Sequence, residues 1–244
     1  MTGPDPLETL REASARWNSG ADGRELEVFP PVDAAALVRM ESELGPVPPE
    51  IAKLLAFASG FRVREGKEEF EVMFDGGPAG FEEAFPRSVS LMPDGFGNEW
   101  RVDVNPVTGE WARVYFTCHD PAVIVVQSES LAEFLKQLLS APSGGVATAL
   151  VSASGDPEMR IFRGRPQVTP AAEAGQAGDA LIEAAARGLA PGSYVADLRS
   201  AGRGEGFEWD MLGDSVRIGR PGPEPVWTLQ PGPRRGCLAA FLGR

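Results

Sequence analysis

The sequence predicts an α+β fold in which a mainly antiparallel sheet is flanked by helices and followed by a small α+β C-terminal unit. Three observations support this prediction. Apolar residues recur at helical spacing up to Gly60 and alternate with polar residues beyond it. Turn signals separate the predicted strands, where a parallel sheet would need helical crossovers. A capping box at Ser130–Glu133 then begins a closing helix.

Three helices are predicted before Gly60. Residues 5–17 begin with an aspartate cap and a proline, and they place apolar side chains on one face. Residues 33–45 begin with an aspartate and end with a glycine. Residues 48–60 begin with two prolines and carry apolar residues at positions i, i+3, i+4 and i+7.

Strands are predicted after Gly60. Phe70, Val72 and Phe74 alternate with Glu69, Glu71 and Met73, which predicts a strand with one solvated face. Residues 100–117 alternate on both sides of an Asn-Pro-Val-Thr-Gly turn and predict a hairpin. Residues 122–126 are an unbroken apolar run, typical of a strand buried on both faces. In the C-terminal part, a helix is predicted over 179–189, with short strands at 194–198, 207–211, 216–218 and 226–229.

Charge is distributed unevenly along the chain. The 244 residues include 35 acidic and 23 basic side chains, for a net charge of −12. Residues 1–150 hold 24 acidic and 12 basic side chains and residues 151–244 hold 11 of each, so the first part carries the whole excess. A Gly/Pro/Ser-rich stretch at 141–145 coincides with this change. We therefore predict two domains, residues 1–145 and 146–244.

The composition argues against several classes of function. An acidic chain repels phosphate backbones, so we expect no nucleic-acid partner. Since no apolar run approaches the ~18 residues of a membrane span and the N-terminus lacks the pattern of a secretory signal, we expect a cytoplasmic protein with no membrane partner. Cys118 and Cys237 are too few for a disulfide framework or a cysteine metal site. No cofactor is expected.

Several motifs between residues 32 and 139 resemble the SMI1/KNR4 family, also called the SUKH superfamily. The positions that carry the resemblance are Leu37, Glu41, Leu44-Gly45, Val47-Pro48-Pro49-Glu50, Leu54-Leu55, Ser59-Gly60, Asp94–Asn98, Asp103, Gly109, His119-Asp120, Phe134-Leu135 and Leu138-Leu139. The chain departs from the family pattern at three places. It has Val47-Pro48 for Leu-Pro, Ser59-Gly60 for Asn-Gly, and Ser130-Leu131 for Ser-Phe.

The resemblance implies a non-enzymatic binding module with no catalytic residues. Bacterial members are commonly immunity proteins, which neutralise a cognate toxin, often a nuclease, by binding and blocking it. Fungal members act in cell-wall regulation and signalling. We therefore expect a protein partner, a basic toxin domain. A regulatory or scaffold protein of the same family type is the alternative.

An acidic stretch is the predicted partner-binding surface. Complementary charge accelerates association with a basic partner and rejects others. A solvated face without a partner is the alternative interpretation. Phe81, Phe85 and Phe96 are candidates for the apolar centre of an interface or for the core. The predicted contact residues are Glu65, Glu68, Glu69, Glu71, Asp75, Glu82, Glu83, Asp94 and Glu99.

Two further clusters contain the residue types of an enzyme site. Cys118-His119-Asp120 has the composition of a nucleophilic triad, but neighbours on a strand point to opposite faces, which favours a structural role. Asp94, Asn98, Glu99 and Asp103 offer oxygen ligands to a divalent cation without matching the spacing of a calcium loop. A metal-dependent hydrolase is the least favoured alternative, and no residue is assigned a catalytic or metal-binding role.

Overall fold

Helices and mostly antiparallel sheets build the fold, which confirms the predicted α+β class. The computed structural model describes residues 5–17, 24–77, 81–95, 97–140, 167–210 and 216–232. The helices are α1 Pro6–Trp17, α2 Ala34–Leu44, α3 Pro49–Leu55, α4 Leu131–Ser140, α5 Ala171–Ala174 and α6 Ala180–Ala186. The strands are β1 Arg24–Val28, β2 Gly60–Glu65, β3 Glu68–Met73, β4 Ser88–Pro93, β5 Glu99–Val104, β6 Trp111–His119, β7 Ala122–Ser128, β8 Val168–Pro170, β9 Tyr194–Asp197, β10 Gly206–Glu208, β11 Val216–Gly219 and β12 Val226–Pro231.

Local capping signals begin α2 and α4 and end α2 where the sequence predicts, whereas α3 ends at Leu55, before the predicted Gly60. The Asp33 carboxylate accepts a hydrogen bond from the Ala36 amide (2.7 Å) at the start of α2. Gly45 ends that helix with a φ of 95°, a left-handed value that favours glycine. At the start of α4, the Ser130 hydroxyl accepts from the Glu133 amide at 3.2 Å. The two predicted helix starts are therefore confirmed.

Within the described residues, the strands form three sheets. The first has the order β1-β2-β3, the middle sheet β10-β7-β6-β5-β4, and the third β11-β12-β9-β8. The predicted hairpin over 100–117 is present as β5 and β6. In its turn, the Asn105 side chain accepts hydrogen bonds from the amides of Val107 and Thr108 at 2.8 and 3.1 Å.

The middle sheet is covered on both faces. One face packs against α4, and α1 and the first sheet complete the same core, which includes Phe134 and Val125. The other face packs against the C-terminal residues, in a core that includes Tyr115, Phe207 and Trp227. Every residue of β7 is buried for this reason, as its apolar run predicts.

The C-terminal part contributes a strand to the middle sheet. The sequence places a strand at 207–211 in the small C-terminal unit, but β10 instead pairs with β7, with Phe207 opposite Ile124. Gly206 permits this close approach, because a Cβ at that position would lie 2.0 Å from the Ile124 carbonyl oxygen. Residues on the two sides of position 145 thus share one sheet and one core.

Four strands, β1, β2, β4 and β8, are absent from the sequence prediction. Within residues 24–28, acidic and apolar side chains do alternate from Glu25 onward, but the strand is only five residues long. The predicted boundary segment at 141–145, Phe96 and Cys237 lie outside the described residues. None of the helices in the described part of the chain is long and apolar enough to span a bilayer.

Candidate functional site

The solvent side of the first sheet carries alternating charges, which we call the charged face. Its members are Glu25, Glu27, Arg62, Arg64, Glu69 and Glu71. The strand register places them in two rows, Glu25–Arg64–Glu69 and Glu27–Arg62–Glu71. The intervening side chains, such as Leu26 and Val63, turn into the core. Each row is therefore acid–base–acid and carries one excess negative charge.

Ion pairs join the neighbouring residues of each row of the charged face. Arg62 Nη1 lies 2.9 Å from Glu27 Oε2, and the same guanidinium donates to Glu71. Arg64 Nε lies 2.7 Å from Glu69 Oε2. These side-chain hydrogen bonds raise the pKa of both arginines. Glu25 is held more loosely, at 3.9 Å from Arg64, and its side chain is 76% exposed.

The carboxylates of the charged face remain accessible to a partner. Those of Glu27, Glu69 and Glu71 are between 44% and 50% exposed, although each pairs with an arginine. Exposed ion pairs contribute little to stability, so their carboxylates can exchange one cation for another at small cost. The face therefore has the charge and the accessibility that a basic partner requires.

The predicted contact residues do not form one surface. Glu69 and Glu71 lie on the charged face, and Glu65 lies at the end of β2, paired with Arg24 at 2.9 Å beneath the Trp17 ring. The backbone of Glu68 begins β3, and its side chain is outside the described set. Asp75 lines a separate cavity between α2 and the loop after β3. The remaining four predicted residues lie elsewhere, at or near the middle sheet: Glu82, Glu83, Asp94 and Glu99.

A cleft lies over the middle sheet, and we call it the aromatic cleft. It has a volume of about 230 Å³. The Phe81 and Trp209 rings form its wall, with centroids 5.0 Å apart. The Trp209 indole Nε1–H donates to the Cys118 carbonyl oxygen at 3.1 Å, which fixes the ring. The lining includes Phe81, Glu99, Arg101, Thr117, His119 and Trp209.

The floor of the aromatic cleft contains a buried ion pair between Glu99 and Arg101. Glu99 is 8% exposed and also accepts a hydrogen bond from the Ser90 hydroxyl at 2.6 Å. Burial lowers the pKa of Arg101 to about 10, while the Glu82 carboxylate acts in the opposite direction. Because Glu99 is buried and already paired, it lies outside any exposed acidic face.

The residues of the Cys118-His119-Asp120 cluster do not converge. Cys118 is buried on the helix-covered side of the middle sheet, whereas His119 is exposed. His119 Nδ1 lies 3.0 Å from the Asn98 side-chain oxygen. The side-chain nitrogen of Asn98 in turn donates to the Asp94 carboxylate at 2.6 Å. The imidazole is therefore oriented by the Gly-rich turn and not by the neighbouring thiol.

The carboxylates of residues 94–103 do not converge either. Asp94 bonds to Asn98, Glu99 to Arg101, and Asp103 to Arg220 at 2.6 and 2.8 Å. In the part of the chain that the structure describes, no group of three His, Cys, Asp or Glu residues is placed to hold a metal ion. The concave cluster of carboxylates that a metal-dependent hydrolase would need is thus not formed by these residues.

Several residues of the two features are absent from the sequence prediction. Glu25 and Glu27 join the charged face because β1 pairs with β2, and the alternation in residues 24–28 is the signal that could have revealed them. Trp209 directly follows β10 and reaches the cleft from a part of the chain 91 residues beyond Cys118, which no local pattern indicates. A comparison of the chain with protein-family models and with curated proteins finds no match.

Proposed function

We propose that this chain is a non-enzymatic protein-binding module of the cytoplasm, an immunity-type protein that neutralises a basic toxin domain by occlusion. The observation that carries the proposal is the charged face, where strands from two parts of the chain bring four accessible carboxylates around two arginines. The resemblance of residues 32–139 to the SMI1/KNR4 family supports the same class of function.

Electrostatics supports a basic partner for this face. The chain has a net charge of −12, so its field attracts a cationic protein over distances of about a Debye length, ~8–10 Å. A nuclease toxin must hold a nucleic acid and therefore presents cationic side chains around its active site. An acidic protein seated on those side chains would exclude the substrate.

A regulatory or scaffold interaction protein is the second candidate. It is favoured by the division of the predicted acidic residues between the charged face and the surroundings of the aromatic cleft, because separate surfaces suit separate contacts. One experiment distinguishes a single toxin domain that covers one face from several partners that cover separate surfaces.

The experiment compares two variants with equal loss of charge. In the first, Glu25, Glu27, Glu69 and Glu71 are each changed to Gln. In the matched control, the same change is made at exposed acids elsewhere: Glu41, Glu50, Glu110 and Glu173. Each protein is used to capture partners from a lysate of its native host at ~50 mM and ~500 mM salt, and Kd is then measured for any captured protein.

We expect a basic partner that is lost at high salt. Its Kd for the charged-face variant should rise at least about tenfold, because each exposed pair contributes ~0.2–1 kcal/mol. Its Kd for the control variant should stay within about threefold of the wild-type value. Equal Kd values for the two variants would contradict the charged face as the contact. Several partners at distinct surfaces would favour the regulatory candidate.

A further inference from the structure

We propose that the aromatic cleft binds an arginine side chain of the basic partner. The proposal rests on the proposed function only for the source of that arginine. The size of the cleft, its aromatic wall, its charge and one strained residue support the binding of a guanidinium.

The size of the cleft suits a single side chain. Its volume of about 230 Å³ lies below the roughly 300–1,000 Å³ of sites for drug-sized molecules. Arginine is among the residues enriched at the energetic centres of protein interfaces, where one side chain fills one pocket. The cleft is open to solvent along the Phe81–Trp209 wall, so a side chain can enter from outside.

The wall and the surrounding charge favour a guanidinium over other groups. A planar, weakly hydrated cation is attracted to the faces of Trp and Phe rings. Glu82 directly follows Phe81, and its carboxylate acts electrostatically on Arg101, so it adds negative charge to the cleft. At the floor, the charge of Arg101 is offset by Glu99. The net field over the cleft therefore favours a cation.

The backbone at Phe81 supports a binding role. Phe81 has a φ of 68°, a left-handed value that is strained for a bulky residue. Its carbonyl oxygen accepts hydrogen bonds from the amides of Ala84 and Phe85 at 3.1 and 3.0 Å, which hold the turn. Such strain, maintained by surrounding contacts, is concentrated at ligand-binding positions. Here it places the Phe81 ring against Trp209.

The test uses the purified full-length protein and two small probes. N-acetyl-arginine amide supplies the guanidinium, and N-acetyl-citrulline amide has nearly the same shape without the charge. The indole N–H resonance of Trp209, assigned by triple-resonance NMR, is followed during titration with each probe. The titration is repeated with Glu82→Gln and with a matched control, Glu8→Gln, which removes an exposed acid on α1.

The arginine probe should shift the Trp209 resonance in a saturable manner, and the citrulline probe should bind about tenfold more weakly. Glu82→Gln should weaken arginine binding by about threefold, and Glu8→Gln should leave it unchanged. No saturable shift, or equal binding of the two probes, would overturn the proposal.

The two proposals fail in different ways. Loss of the arginine shift in the purified protein overturns the cleft even when partner capture still depends on the charged face. Conversely, arginine binding with no basic partner in any lysate overturns the proposed function and leaves the cleft as a site for a cationic side chain.

Discussion

Asp103 on β5 and Arg220 after β11 form a buried, bidentate ion pair. Their side chains are 6% and 2% exposed, and the two N–O distances are 2.6 and 2.8 Å. The Arg220 guanidinium also lies over the Trp227 ring at 5.1 Å and donates to the Glu224 carbonyl oxygen. Removing one partner of such a pair leaves an uncompensated buried charge, which costs more than the pair itself contributes.

Arg220→Met should therefore lower the free energy of unfolding by about 3–5 kcal/mol. Asp103→Leu should cost a similar amount, whereas the double variant should be more stable than either single variant, because no unpaired charge remains. Urea denaturation of the four proteins measures the coupling. Additive losses would show that the two side chains do not depend on each other.

Strand β10 joins the C-terminal part of the chain to the middle sheet. The Val126 amide donates to the Glu205 carbonyl oxygen at 2.8 Å, and the Trp209 amide to that of Ala122 at 2.7 Å. Between these bonds, Gly206 lies against β7 with no space for a side chain. The pairing of β10 with β7 thus depends on a residue without a Cβ.

Gly206→Ala should separate β10 from β7 and lower stability by about 1–3 kcal/mol, as overpacking does. Gly222→Ala is the matched control, because nothing lies within 4 Å of a Cβ at that position. Thermal unfolding and hydrogen exchange at the Val126 amide measure the two effects. Unchanged protection of Val126 in Gly206→Ala would contradict the assigned pairing.

The C-terminal part of the chain covers one face of the middle sheet. Trp227 is fully buried there, and its indole N–H donates to the Ala84 carbonyl oxygen at 2.7 Å. Phe85 and Tyr115 lie 5.7 Å from the same ring. Removing this layer would expose a contiguous apolar surface on the sheet.

A fragment of residues 1–145 should therefore lack a cooperative thermal transition and should bind the dye ANS, while the full chain unfolds cooperatively and binds little dye. The reason is the exposed sheet face, which a soluble monomer does not tolerate. Differential scanning calorimetry compares the two proteins. A fragment that unfolds cooperatively at the Tm of the full chain would show that residue 145 separates independently folding units.

The features that depend on neighbouring residues could be predicted from the sequence. Asp33 as a helix cap, the Asn105 turn and the Ser130–Glu133 capping box are local, because each hydrogen bond joins residues within four positions. The helical spacing of apolar residues in α1 and the unbroken apolar run of β7 likewise predict which of their side chains are buried. The α+β class follows from these local signals.

Which charges are buried and which are exposed depends on packing between distant parts of the chain. Glu99 is among the predicted contact residues, yet it is buried in β5 together with Arg101 and Asp103. The partner of Asp103, Arg220, lies 117 residues further along the chain. The charged face likewise requires β1 and β3 to pair on either side of β2. Contacts at such separations come from packing and not from local pattern, and for that reason one sequence did not reveal them.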